Sequence, residues 1–182
     1  MGLETNLASA LCLHRTHRPY DGMRVRWDER ALSAKCDLNQ LLVSAQGAIG
    51  ALGHVGLTMQ VDNPTAKTCE VNGYPKLRLL DGDDQAIGPI IEGRGYLTGT
   101  RAPPRLVPIP PGDHAVFIIE WNSAGNDGAA CRDGVRLGVT LPGATRELLL
   151  PASSAQGLAI APCGGGPAVS PVLPTGFHEE GA

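Results

Sequence analysis

From Cys36 onward the chain alternates apolar and polar residues with a period of two. Val55, Leu57, Met59 and Val61 face one way, Gly56, Thr58, Gln60 and Asp62 the other, and Asn63-Pro64 breaks the run. This spacing predicts a half-buried antiparallel strand. Val135, Leu137, Val139 and Leu141 repeat the pattern against Arg136, Gly138 and Thr140, and Pro142-Gly143 ends it. Between His114 and Trp121 apolar residues occupy both alternation sets, after the turn Pro110-Pro111-Gly112. A strand apolar on both faces is expected in the centre of a sheet. Weaker strands are predicted at 41–46, 76–80, 86–91, 106–109, 147–150, 158–161 and 168–172, with Asp81-Gly82 joining the second and third as a hairpin. Short strands with turn signals every few residues predict an all-β fold, an antiparallel immunoglobulin-like β-sandwich or a barrel.

Residues 1–35 show no consistent period. The apolar stretch Leu7 to Leu13 is short for a signal peptide and no positive charge precedes it. Leu11 stands before Cys12, where a lipoprotein cleavage site needs a small residue. These residues read as an N-terminal extension outside the core, 36–174 as the β-sandwich domain, and 175–182 as a frayed C-terminal tail.

Composition agrees with short strands. Among 182 residues, 24 Gly and 15 Pro argue against long helices, and aromatics make up only 4%. The net charge of −3 divides into +2 for residues 1–35 and −5 for the rest. An acidic domain without a basic stripe is not expected to bind nucleic acid. No apolar run approaches the roughly 20 residues of a membrane-spanning helix.

Cys12, Cys36, Cys69, Cys131 and Cys163 form no CxxC pair. The last four, isolated along the chain, read as a disulfide framework and hence an oxidising compartment. Four cysteines allow three connectivities. Chain order favours Cys36 with Cys69 and Cys131 with Cys163, because each pair would join the start of one strand to the end of a neighbour, with Cys12 left outside.

At Cys69-Glu-Val-Asn-Gly-Tyr-Pro75, followed by an apolar strand closing on Asp81, the chain resembles the bacterial family called domain of unknown function 4232. Leu57-Thr-Met-Gln-Val-Asp-Asn63 resembles its strand ending in an Asn turn. Pro110-Pro-Gly112 with Ala115 and Trp121 resembles its "PG…A…W" strand, and Cys131 then follows a polar loop. Cys163 before Val169-Ser-Pro-Val172 completes the order, so the resemblance covers about residues 36–173. It implies a β-sandwich, an exported or lipid-anchored envelope protein of high-GC bacteria, and no established activity. The chain departs from it in lacking a recognisable export signal and in carrying Cys12.

Candidate sites are sparse. Asp81, Asp83 and Glu92 take positions 1, 3 and 12 of a calcium loop, with Asp84 beside them, but position 6 is Ala86 where Gly is needed. A solvated hairpin is the expectation there. Cys12, His14 and His17 could hold a transition metal but lack a fourth ligand. His54 and His114 are expected as turn or surface residues. Nucleophilic catalysis needs a Ser or Cys beside a base with an oxyanion hole. No Gly-x-Ser-x-Gly is present, and Gly164-Gly165-Gly166 reads as a flexible loop. Glu120, the one acid in the apolar central strand, is expected to point outward, and Tyr74 and Trp121 to serve as core or corner aromatics. The resulting expectation is a non-enzymatic extracytoplasmic module of the cell envelope with no metal or cofactor, recognising an envelope protein or glycan. The alternatives are a hydrolase or metal-dependent enzyme and a structural spacer.

Overall fold

The computed structural model describes residues 36–97, 99–125 and 129–177. The expectations for residues 1–35, including Cys12, His14 and His17, lie outside the described residues. Among the described residues eleven strands follow in chain order, with two short 3-10 turns at Leu38–Gln40 and Gly99–Arg101. They are β1 (Leu42–Ala51), β2 (His54–Asp62), β3 (Cys69–Val71), β4 (Lys76–Leu80), β5 (Ile91–Glu92) and β6 (Val107–Ile109). The second half supplies β7 (His114–Asn122), β8 (Arg136–Thr140), β9 (Leu148–Pro151), β10 (Ala168–Val169) and β11 (Leu173–Pro174). No described helix is long and apolar enough to cross a membrane.

The largest sheet has the order β1-β2-β7-β10-β5, with β11 also paired to β7. β2 and β7 run antiparallel along their whole length, from His54 opposite Asn122 to Asp62 opposite His114. β7 is central because both of its faces are apolar. Ala115, Phe117, Ile119 and Trp121 enter the main core, while Ile118 packs with Leu97 and Leu173 in a small second cluster on the other face. Phe177 also packs there, so the chain returns to the sheet just beyond residue 174. β1 is the outer strand and carries a bulge between Ala45 and Ala48. Its turn to β2 is Leu52-Gly53, with both residues at positive φ (50° and 81°), as a two-residue type I′ hairpin requires.

Two smaller sheets, β3-β6 and β4-β8-β9, complete the fold. Val71, Val107 and Ile109 of the first and Leu79, Leu137 and Val139 of the second join Leu57, Met59 and Phe117 in one buried cluster. Burying such side chains stabilises by about 1.5–3 kcal/mol each relative to exposure, so this shared interior holds together three sheets that share no strand ladder. Asn63 ties the turn after β2 to β6. Its amide donates to the carbonyls of Lys67 and Ile109 at 2.7 Å, and its oxygen accepts from the N–H and hydroxyl of Thr65.

Several expected strands are shorter than the pattern implied. The 86–91 stretch leaves β4 after one bridge, Leu80 to Ala86, and only Ile91–Glu92 is a strand. It pairs with β10 in parallel, so the fold is not purely antiparallel. The 158–161 stretch makes a single bridge, Ala159 to Ser153. The 168–172 strand is split because Pro171 has no N–H, and the Ser170 hydroxyl accepts the Ile118 N–H (2.8 Å) at the break. Val135 is about half exposed, since β8 begins only at Arg136.

Disulfides join Cys36 to Cys69 and Cys131 to Cys163, at sequence separations of 33 and 32. Two such bridges point to an oxidising compartment.

Candidate functional site

Alternation places Glu120 on the face of β7 turned away from Phe117, Ile119 and Trp121, as an outward-pointing residue would be. Yet it is only 2% exposed. The expectation of a solvent-facing acid is therefore corrected. Residues 93–97 and 99–102 fold back over this face, and Glu120 is what they fold onto. Its Oε1 accepts the Tyr96 N–H at 2.6 Å, and its Oε2 accepts the Leu97 N–H at 2.9 Å and the Thr100 hydroxyl at 2.7 Å. A buried carboxyl group without partners would cost several kcal/mol, about 1–3 for each group left unmade, so this loop and this acid require each other.

The loop can approach so closely because of its glycines. A Cβ on Gly95 would collide with the Thr100 hydroxyl and the Glu120 carboxyl, and one on Gly99 with the Ile118 side chain. Gly56 of β2, directly opposite Glu120, likewise leaves room for Leu97.

The fourth partner is a histidine. His54 lies diagonally across the ladder from Glu120, and its Nδ1 is 3.0 Å from Oε1. The side chain is 31% exposed. The Tyr96 ring stacks on the imidazole with centroids 4.7 Å apart and planes inclined by 16°. Tyr96 itself is about half exposed. A buried acid therefore fixes an imidazole and, through the Tyr96 backbone, the ring that covers it. With Nδ1 committed to Glu120, Nε2 is the nitrogen left for an outside partner.

Neither Tyr96 nor Thr100 stands out in the sequence, and His54 there is an ordinary turn residue. The trace that could have led to them is the spacing Gly93, Gly95, Gly99 around an aromatic, in a chain where one strand carries a single acid.

The other candidates do not join this site. Asp81 closes the turn after β4, its Oδ1 accepting the N–H groups of Asp83 and Gln85. Its Oδ2 takes Arg132 at 2.5 Å, and Asp84 pairs with Arg136. The Gln85 N–H above all holds the Asp81 carboxyl below its ordinary value; burial opposes it, and Arg132 and the Asp83 N–H add to the lowering. Asp81 and Asp84 are thus each paired with an arginine. His114 sits beside Asp113 (3.7 Å) and is part exposed. Trp121 is core, and Tyr74 is half-buried against the core. Gly166 packs so tightly on Pro89 that a Cβ would strike its carbonyl, so the glycine run is a close-packing device at that point. Among the described residues, no group of three or more His, Cys, Asp or Glu is placed to hold a metal ion.

The fold and this site define a disulfide-bonded all-β domain whose most organised polar feature is a buried acid beneath a surface imidazole. The family described as Domain of unknown function (DUF4232) matches residues 36–172, and the chain belongs to it. Comparison with curated proteins and with solved structures gives no match.

Proposed function

We propose that the chain is a non-enzymatic extracytoplasmic module of the cell envelope, an immunoglobulin-like sandwich that presents Tyr96 and His54 to an envelope protein or glycan. One observation carries this reading. The Tyr96 ring, about half exposed, is stacked on an imidazole that a buried carboxyl group holds in place. Aromatic groups fixed before binding lose little conformational freedom when a partner docks, which favours recognition. The layering of a six-stranded sheet over two smaller ones supports the sandwich assignment, and the two disulfides support export. A catalytic reading has less support. Both Glu120 oxygens are engaged, and among the described residues no hydroxyl or thiol hydrogen-bonds His54.

Cross-linking in intact cells tests the proposal, with the wild-type chain and a Tyr96→Ala variant of equal thermal stability. A defined partner lost in the variant is the expected result. A partner retained undiminished refutes the site. Hydrolytic turnover by the wild type that disappears in His54→Ala refutes the non-enzymatic reading.

A further inference from the structure

β4 is an edge of the three-stranded sheet, and the chain that should cover it does not. After β4 the turn at 81–85 starts a hairpin. The Asp81 N–H donates to Gln85 and the Ile87 N–H to the Leu79 carbonyl (2.9 Å). There the ladder stops. Gly88, at φ +61°, packs against Gly166, where a Cβ would come within 2.8 Å of its backbone. The following residues then bind the large sheet, through Ile91 N–H to Pro167 O (2.9 Å) and Gly93 N–H to Val169 O (3.0 Å). The hairpin is split between two layers, and the split is held at both ends.

This leaves part of β4 unpaired. Backbone groups alternate sides along a strand. The Leu80 carbonyl accepts from Val135 on the β8 side, and the Leu79 carbonyl accepts from Ile87 on the other. The Leu79 N–H, both backbone groups of Leu77 and the Pro75 carbonyl therefore point into the split. Among the described residues none of them meets a partner there. The space beside them is a groove of about 380 Å³ lined by Leu77, Leu79, Pro89, Ile90 and Glu92 among others. Against about 30 Å³ for a water molecule, that admits a chain segment. Its floor continues the core, since Leu77 and Ile90 are partly buried and pack on it.

We infer that this groove accepts an extended segment of a partner protein as an added strand antiparallel to β4. The free groups at 75, 77 and 79 have the two-residue spacing of such a ladder. The residue opposite Leu77 is apolar and fills the gap towards Ile90. The residue opposite Lys76 lies on the outer face and is acidic, because Lys76 is exposed with no acid paired to it among the described residues, whereas neighbouring Arg78 is held by Glu147 at 2.7 Å. Glu92 on the far wall excludes a second acid there. The site is separate from the His54–Tyr96 surface and stands without that proposal.

Random heptapeptides displayed on phage, panned on the full chain, supply the probe. Selected peptides are synthesised and titrated into isotopically labelled full chain, with amide exchange followed by NMR. The expected peptides alternate apolar residues with polar or acidic ones, and at saturation slow exchange at Leu77 and Leu79 at least tenfold. Lys76→Glu, at an exposed position, weakens binding at least tenfold with the thermal midpoint retained; Leu77→Pro, which removes an unpaired backbone donor but also a partly buried side chain, weakens binding at least tenfold and lowers the midpoint. No enriched sequence, or protection only elsewhere, overturns the inference; protection around Tyr96 does so while supporting that other surface. Concentration-dependent dimerisation that protects Leu77 without peptide overturns it in favour of a second copy. If Leu77→Pro unfolds, the wild-type exchange pattern and Lys76→Glu still decide.

Discussion

Gly95 and Glu120 are in such close contact that one added methyl group would collide with the carboxyl oxygen. The loop over the outer face of β7 is therefore seated directly on the Glu120 side chain. Overpacking typically costs about 1–3 kcal/mol, and Gly95→Ala is expected to fall in that range. Urea unfolding measures the loss. Limited proteolysis of the folded variant should cut first within residues 93–102, and an unchanged cleavage pattern would show that the loop is held by other contacts.

Removing the acid is more damaging than removing the histidine. Glu120→Ala strands the N–H groups of Tyr96 and Leu97, at about 1–3 kcal/mol for each that water cannot reach, while the Thr100 hydroxyl keeps the Leu97 carbonyl at 2.7 Å as acceptor. His54→Ala removes a part-exposed partner and is expected to cost about 1 kcal/mol. Equal losses in chemical denaturation would mean that His54, not the loop, is what Glu120 serves.

Acid sensitivity has a local source in Asp81. Its carboxyl lies below the ordinary value of 3.8 in the folded chain, chiefly because of the Gln85 N–H. A depressed carboxyl contributes stability that is complete above its unfolded value and is lost as pH falls through the folded one. Asp81→Ala is therefore expected to be destabilised relative to wild type at neutral pH, with the difference shrinking as pH falls below 3.8. Denaturation midpoints of both proteins across that range check the sign, and a gap that widens in acid contradicts it.

Leu52 is a substitution site with the opposite direction. It holds φ 50° at the tip of the β1–β2 hairpin and is 84% exposed, so it loses conformational energy without burying its side chain. Asn tolerates this conformation better. Leu52→Asn is expected to stabilise by about 0.5–1 kcal/mol, read as a raised denaturation midpoint.

Much of the central sheet was legible from alternation. Leu57, Met59 and Val61 are fully buried on the face that the period assigned them, and the apolar run at 114–121 is the strand with two covered faces. Long strands carry their own periodicity. β5 and β10, at two residues each, are too short to, and the strands expected at 86–91 and 168–172 survive only where the large sheet gathers them. β3 escaped for the same reason, although Cys69 marks it. Glu120 shows a different limit. The expectation that Glu120 turns away from the main core holds, but nothing near residue 120 reveals that a segment some twenty positions earlier lies across that face. Burial of an outer face is decided by what folds over it, and only glycine spacing at 93, 95 and 99 hints at such an approach.

The Cys36–Cys69 bridge also determines how the domain would respond to tension. A pull entering at residue 36 passes through the sulfur–sulfur bond to residue 69, bypassing a separation of 33 residues that contains β1 and β2. The covalent path then skips the long hairpin at the edge of the large sheet, and the three-residue ladder between β3 and β6 lies beside the loaded chain instead. The Cys131–Cys163 bridge shields β8 and β9 in the same way. Anchored at both ends, the domain could lengthen only by the chain outside these two covalent loops.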